Sequence, residues 1–263
     1  MIDIHTHILP GVDDGAVSWE LTIEMARAAA AEGITVLIAT PHHANGRYLN
    51  PAAEVEAVVL QANERLTAAG LNITIRPGQE IRVHDGLLDA WDQKELLTLA
   101  GSDYMLIELP SSRIPKGMGE LIHELNMLKL KPIIAHPERN AEIAEHPERL
   151  SELLEEGAYA QVTTHSLLGG FGRGVERTAW SLCAQGLIHL VSSDAHHPQR
   201  RGFRLREAYG TIRDRLGEEW ETWYMDNARC VIENHSFGER PAIATSPPGG
   251  VRRLLSYFRK KTF

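Results

Sequence analysis

A chain of 263 residues, 43% hydrophobic and 24% charged, can bury a substantial core as one large domain or two small ones. Its formal net charge of −8 disfavours nucleic acid as the main partner. The two cysteines, Cys183 and Cys230, lie outside any CxxC spacing, which argues for a reducing compartment and against a disulfide framework or a zinc finger.

The opening MIDIHTH predicts a strand over residues 2–4 and lacks the basic and apolar run of a signal peptide. Residues 18–32 are predicted helical, with Ser18 as N-cap, Glu20 and Glu24 in the early turns and Gly33 as the stop. The apolar, β-branched run 34–39 fits a strand buried on both faces. The rhythm then repeats: helix 51–69 before strand 72–76, a short helix near 87–93 before strand 104–109, helix 119–130 before strand 132–135. Helix 147–156 precedes strand 158–162, helix 174–185 precedes strand 187–192, and two further helices cover 204–216 and 218–233. Seven strands alternating with helices predict an α/β barrel or a doubly wound sheet. No stretch of about 18 apolar residues is present to span a membrane, and the expected location is the cytoplasm. Beyond Asn234, RPAIATSPPGG has linker composition and VRRLLSYFRKK is short, basic and amphipathic. The expected division is a barrel over 1–233 and a poorly packed tail over 234–263, with transient contact to an anionic membrane surface open to that tail.

Histidines and carboxylates gather where the strands end. The first strand ends in His5-Thr6-His7; residues two apart in an extended chain point the same way, so both imidazoles can reach one metal ion. The second ends in Pro41-His42-His43, the third runs into Gly78-Gln79-Glu80, the fourth contains Glu108, the fifth ends at His136, and the seventh ends Ser193-Asp194-Ala195-His196. Asp13 and Asp14 adjoin in the loop after the first strand. One histidine at a strand end is usually a hydrogen-bonded structural residue, but six strands of seven delivering His, Asp or Glu at the same end need a common cause. In barrels the carboxyl ends of the strands converge on the active site, and buried carboxylates and imidazoles are costly unless paired or metal-bound. The expected ligands are His5, His7, Asp14 (with Asp13 as its neighbour), His42, Glu80, Glu108, His136, Asp194 and His196. That set exceeds one tetrahedral site and implies two or three divalent ions; manganese, iron or zinc suit it, and the lack of cysteine favours the harder ions.

Together, MIDIHTHILPGVDDGA, TPHHANGRYLNP, GQEI, IELP, IAHPERN and SSDAHHPQRR resemble the polymerase-and-histidinol-phosphatase (PHP) superfamily over about residues 1 to 230. Within it they are most similar to the bacterial manganese-dependent protein-tyrosine phosphatases encoded with capsule and exopolysaccharide genes. The resemblance implies a distorted (β/α)7 barrel carrying a trinuclear centre. It implies that His5, His7, Glu80 and Asp194 hold a first ion. Glu80 would bridge to a second ion completed by Glu108 and His136, and Asp14, favoured over Asp13, would join His42 and His196 at a third. Many superfamily members have histidine where this chain has Glu108. Arg139 and Arg201 match phosphate-binding arginines, a role that a planar guanidinium suits through paired hydrogen bonds; Arg200 adjoins the second. His43 has no ligand partner in this scheme and is expected to be structural or a proton donor.

The implied reaction is hydrolysis of phosphotyrosine on a bacterial tyrosine kinase that controls capsular or exopolysaccharide synthesis, with hydroxide generated at the ions attacking phosphorus and the arginines helping to hold the phosphoryl oxygens. A tyrosinate leaving group, of pKa about 10, needs little help from a general acid, and the sequence offers no unmistakable one. The implied partner is the phosphotyrosine tail of a membrane-anchored kinase, with Arg47 and Tyr48 of ANGRYLNP at the rim. A Cys-x5-Arg phosphatase loop is absent, since His189 and Ser236 stand six positions after the two cysteines. The competing enzyme readings are a histidinol-phosphate phosphatase, whose insertions lengthen the chain, a nuclease, which the acidic charge opposes, and an amidohydrolase, which would not require Glu80 and Glu108 with a late Asp-x-His. A non-catalytic metal-binding scaffold is the alternative from another class.

Overall fold

The computed structural model describes residues 1–242. In chain order its elements are β1 (Ile2–Thr6), α1 (Trp19–Glu32), β2 (Val36–Ala39), β3 (His42–His43), α2 (Ala52–Ala68), β4 (Thr74–Pro77), β5 (Glu80–Arg82), α3 (Leu87–Asp92) and β6 (Tyr104–Glu108). Then come α4 (Met118–Met127), β7 (Lys131–Ala135), α5 (Ala141–Glu145), α6 (Glu148–Glu155), β8 (Tyr159–Thr163) and α7 (Thr164–Leu167). The series ends with α8 (Arg173–Ala184), β9 (Leu190–Ser192), α9 (Leu205–Leu216) and α10 (Glu218–Glu233). Ser18 caps α1 by accepting the Leu21 N–H, and Gly33 ends it in the left-handed conformation that a glycine adopts without strain.

All strand pairing is parallel, in ladders β1-β2-β4 and β3-β5-β6-β7-β8-β9. Only Thr40 and Pro41 separate β2 from β3, and only Gly78 and Gln79 separate β4 from β5. Each pair is thus one strand interrupted, and the segments make up seven strands. Pro41 has no N–H to give a ladder. At Gly78 a Cβ would lie 2.8 Å from Ile38 Cγ2, so the chain passes too close to its neighbour for any side chain. A bridge between Thr6 and Ala195 closes the ring, with the Asp194 N–H donating to the His5 carbonyl and the His7 N–H to the Ala195 carbonyl, each at 2.9 Å. The fold is the distorted (β/α)7 barrel.

Alternation along the strands divides the apolar residues. Leu37, Met105, Ile107, Ile134 and Val191 join the inner faces of the helices in one layer, whereas Ile4, Ile38, Leu106, Ile133 and Leu190 form a second core inside the barrel. Ala228 and Val231 of α10 complete that inner core and close its floor. Helices α5 and α7 were not expected, being too short for a helical period to register.

The segment after Glu233, expected to begin a poorly packed tail, is exposed over most of residues 234–240 but touches the barrel at several points. Asn234 accepts the Asp103 N–H at 3.0 Å, Tyr104 Oη donates to the His235 carbonyl at 2.7 Å, and Arg240 donates to the Gly186 carbonyl at 2.7 Å. Phe237 stacks on Tyr104 at 4.9 Å and meets Tyr159 edge-on at 4.7 Å, covering the aromatic floor beneath α10. The segment VRRLLSYFRKK, and with it the expected membrane contact, lies outside the described residues. No helix among the described residues is long and apolar enough to cross a membrane.

Candidate metal centre

Local backbone features aim the ligands at the carboxyl ends of the strands. Ile4 faces the inner core, so strict alternation would turn His5 outward; the β1–β2 register slips between Asp3 and Thr6 and re-aims the histidines into the mouth. The Asp3 carboxylate accepts the N–H groups of His5 (3.4 Å) and Ser193 (3.0 Å), fixing this irregularity against the end of β9. Glu108 needs no such device, because it follows Leu106 on the inner face of β6. Ala135 also faces inward, and His136 reaches the mouth only because its backbone is left-handed, at φ 33° and ψ 56°. Asp194 is left-handed too, at φ 55°. Such conformations cost a non-glycine residue about 1–3 kcal/mol and persist where surrounding structure imposes them.

The nine expected ligands meet in four overlapping groups, within each of which the ligand atoms lie within 4.8 Å of one another: His7, Asp14, His42 and His196; His5, His7 and Glu80; His5, His136 and Asp194; His42, Glu80 and Glu108. Glu80 is central. Its Oε1 lies 2.7 Å from His136 Nε2, and its Oε2 lies 3.4, 3.3 and 3.0 Å from ring nitrogens of His5, His7 and His42. Asp194 Oδ1 lies 3.5, 3.2 and 3.4 Å from His5, His7 and His196. The implied second set is divided: Glu108 groups with His42, and His136 with His5 and Asp194, while both stay close to Glu80. Arg82 stands opposite Glu108 in register, with Nη2 2.9 Å from its carboxylate.

Burial opposes charge on Glu80 and Asp194, but the surrounding imidazoles, joined at Asp194 by Arg139 and Arg201, hold both carboxyls well below their usual range. Glu108 is pushed up by burial and by the charge of Glu80. His7 is raised well above an ordinary imidazole because Asp13 outweighs the effect of burial.

Glu80 Oε2, Asp194 Oδ1 and His42 Nδ1 are buried without a hydrogen-bond partner, while Glu108 Oε2 has only the Arg82 guanidinium beside it. Each unsatisfied buried group costs about 1–3 kcal/mol, and here they face one another around a shared space. Divalent cations remove that cost, and a nitrogen and oxygen donor set without sulfur suits manganese, iron or zinc. The residues therefore fit a metal cluster.

The adjacent aspartates have different surroundings. Asp13 is buried, with Oδ2 at 2.6 Å from His7 Nδ1 and accepting the His42 N–H at 3.2 Å, and Oδ1 accepting the Gly15 N–H at 2.9 Å. Asp14 faces the mouth, 3.5 Å from His42 Nε2 and 3.3 Å from His196 Nε2. His43 points away from the cluster; its Nδ1 lies 2.9 Å from the Asn50 carbonyl, a structural contact that secures the loop after β3.

Both expected arginines reach Asp194 Oδ2. Arg139 donates through Nη1 at 2.6 Å and to Thr163 Oγ1 through Nη2 at 2.7 Å. Arg201 donates through Nη2, with its Nη1 3.3 Å from His196 Nε2, whereas Arg200 is exposed. Arg139 Nε and Arg201 Nε are buried without acceptors. A cavity of about 190 Å³ opens between these arginines and His42, Glu80, Glu108 and His136. At the rim Tyr48 lies parallel to His42, the ring centroids 6.1 Å apart, with Arg47 Cζ 5.0 Å from the Tyr48 centroid.

Strand β8, expected to contribute no ligand, contributes supports. Gln161 Oε1 lies 3.1 Å from His5 Nδ1, and Thr163 holds Arg139. Gln161 was legible as a polar residue between outward-facing Ala160 and Val162, and Arg82 as the residue two beyond Glu80. Phe171, which lies against both arginines, carried no comparable signal.

Residues 1–233 match the family described as capsular polysaccharide synthesis, CpsB/CapC. The tyrosine-protein phosphatase YwqE of Bacillus subtilis (strain 168) is 40% identical over 258 residues, spanning 98% of this chain and 100% of that one. The tyrosine-protein phosphatase CpsB of Streptococcus pneumoniae is 28% identical over 238 residues, 88% of this chain and 98% of that one. A crystal structure from work on YwqE and CpsB, described as unique metal-dependent tyrosine phosphatases, superposes with a TM-score of 0.89 at 40% identity, covering 95% of this chain and 100% of that one. With these motifs in this order on this barrel, the chain belongs to the CpsB/CapC family of capsular polysaccharide synthesis.

Proposed function

We propose that this protein is a metal-dependent protein-tyrosine phosphatase that hydrolyses phosphotyrosine on a bacterial tyrosine kinase controlling capsular or exopolysaccharide synthesis. The observation that carries the reading is the convergence of two arginines on Asp194 of a nine-residue cluster, beside an open cavity. His5, His7, Asp14, His42, Glu80, Glu108, His136, Asp194 and His196 would hold two or three divalent ions, with manganese the choice favoured by resemblance. When bound, such ions polarise the phosphoryl group and supply a nucleophile near neutral pH.

The chain's own groups do the remaining work. Asp13, accepting from Nδ1, keeps the His7 Nε2 lone pair directed at the cluster. Gln161 acts on His5 in the same way. Arg139 and Arg201 already meet at one anionic oxygen and both line the cavity, the arrangement that paired guanidiniums use to hold the oxygens of a phosphoryl group. Thr163 fixes the Arg139 guanidinium from behind. A tyrosinate can depart without a strong general acid because its conjugate acid has a pKa of about 10. The kinase's phosphotyrosine tail, in the cytoplasm, is the partner this chemistry fits.

The test is phosphate release from a phosphotyrosine peptide, histidinol phosphate and a short oligonucleotide, side by side with manganese, in the wild type and His136→Ala. Selective phosphotyrosine hydrolysis that is lost in the variant is expected. Preference for either other substrate overturns the substrate class, and activity surviving the substitution overturns the site.

A further inference from the structure

Between α7 and α8 runs a glycine-rich loop whose one aromatic residue is Phe171. Its ring centroid lies 4.2 Å from Arg139 Cζ and 5.6 Å from Arg201 Cζ, so the two guanidiniums that meet at Asp194 share one aromatic ring. The loop is shaped to hold that ring in place. Gly169 and Gly172 have positive φ, at 76° and 89°, which glycine adopts without strain. The Gly170 N–H donates to the His165 carbonyl at 2.7 Å, and a Cβ on Gly170 would lie 2.9 Å from His165 Cδ2. The buried His165 ring in turn packs 5.8 Å from Phe171.

We propose that Phe171 is a positioning residue, whose ring keeps Arg139 and Arg201 in the mouth when a phosphoryl group takes their donors from Asp194. The proposal rests on the reading of both arginines as phosphate binders. An aromatic ring attracts a guanidinium through its quadrupole, and pinning two rotamer-rich side chains beforehand lowers the entropy lost when they grip an anion.

The experiment compares wild type, Phe171→Leu, Phe171→Tyr and Arg139→Ala with manganese present. It measures kcat and KM for a phosphotyrosine peptide, the inhibition constant of inorganic phosphate, and Tm. Phe171→Leu is expected to raise KM and the phosphate inhibition constant by the same factor, on the order of tenfold, with Tm unchanged, and Phe171→Tyr to restore both to within about twofold of wild type. A rise in KM alone would mean that the ring stacks on the substrate, and overturns the proposal. So does a Phe171→Leu variant that matches wild type, or a Phe171→Tyr variant that fails to restore it. If Arg139→Ala leaves the phosphate inhibition constant unchanged, the arginine reading itself has failed and this proposal falls with it.

Discussion

Replacing Asp13 by asparagine removes a charge at almost constant volume, and the surroundings of the side chain set the consequence. Its three contacts, His7 Nδ1 at 2.6 Å, the His42 N–H at 3.2 Å and the Gly15 N–H at 2.9 Å, all call for an acceptor. An asparagine amide offers one oxygen. With its nitrogen towards His7, the imidazole must move its proton to Nε2, the atom that lies 3.3 Å from Glu80 and 3.2 Å from Asp194, and it can then no longer ligate. The His42 N–H loses its acceptor as well. With the amide reversed, its nitrogen confronts the Gly15 N–H. Either way at least one charge-assisted hydrogen bond of about 1.5–3 kcal/mol is lost, which agrees with the 10- to 100-fold loss of metal affinity, about 1.4–2.7 kcal/mol, that accompanies removal of such supports. Calorimetric titration of metal-stripped protein with manganese is the assay. Asp13→Asn should keep the stoichiometry of wild type and bind more weakly, whereas Asp14→Asn should lose one ion. Unchanged affinities in Asp13→Asn would refute the role given to Asp13.

Gly15→Ala places a Cβ 2.0 Å from the His7 carbonyl oxygen, a backbone collision that only displacement of the loop relieves; metal content and activity should both collapse while circular dichroism retains the barrel, and a fully metallated, active variant would contradict the geometry. Stripping the metal should lower Tm, because a ligand at a hundredfold excess over its Kd contributes about 2.7 kcal/mol, which corresponds to about 5–10 °C in a chain of this size; identical melting with and without manganese would count against the cluster. Burial, aided by Arg240, lowers His189 to about 4. Its folded pKa lies below the unfolded value of about 6.5, so the unfolded chain binds more protons in that window; the His189 contribution is complete above about pH 6.5 and falls by up to about 3 kcal/mol as pH drops towards 4. Urea midpoints at pH 7.5 and 5 should therefore diverge less in His189→Gln than in wild type, and an equal acid loss in both would exclude this source.

The strand and helix pattern was legible because the barrel's periodicity is local: Ser18 and Gly33 bound α1, and α10 runs from Glu218 to Glu233 as its pattern indicated. The cluster of histidines and carboxylates was legible because such residues are unusual in apolar strands. Hidden from sequence was everything that depends on backbone handedness or on the partner across the ring. Nothing in IIAHPERN announces that His136 is left-handed, although that turn brings its imidazole inward. The pairing of Arg82 with Glu108 depends on the β5–β6 register. The division of labour between Asp13 and Asp14 depends on a loop path that only the close approach of Gly15 to His7 reveals. The contacts of residues 234–240 were not legible because the aromatic floor that Phe237 meets is built from Tyr104 and Tyr159, far back in the chain.

The way the ring closes also governs how the protein comes into being. The seam joins β1 to the end of β9 through Asp3 and Ser193, 190 positions apart, and α10 seals the floor later still. Pairing across such a separation is slow, because loop-closure entropy precedes any reward. A chain emerging from the ribosome carries His5, His7 and Glu80 early, but Asp194 and Arg201 arrive only with the last strand. Asp194 belongs both to the candidate ligand cluster and to the contacts of the two arginines, so both halves of the site are completed only when the seam closes.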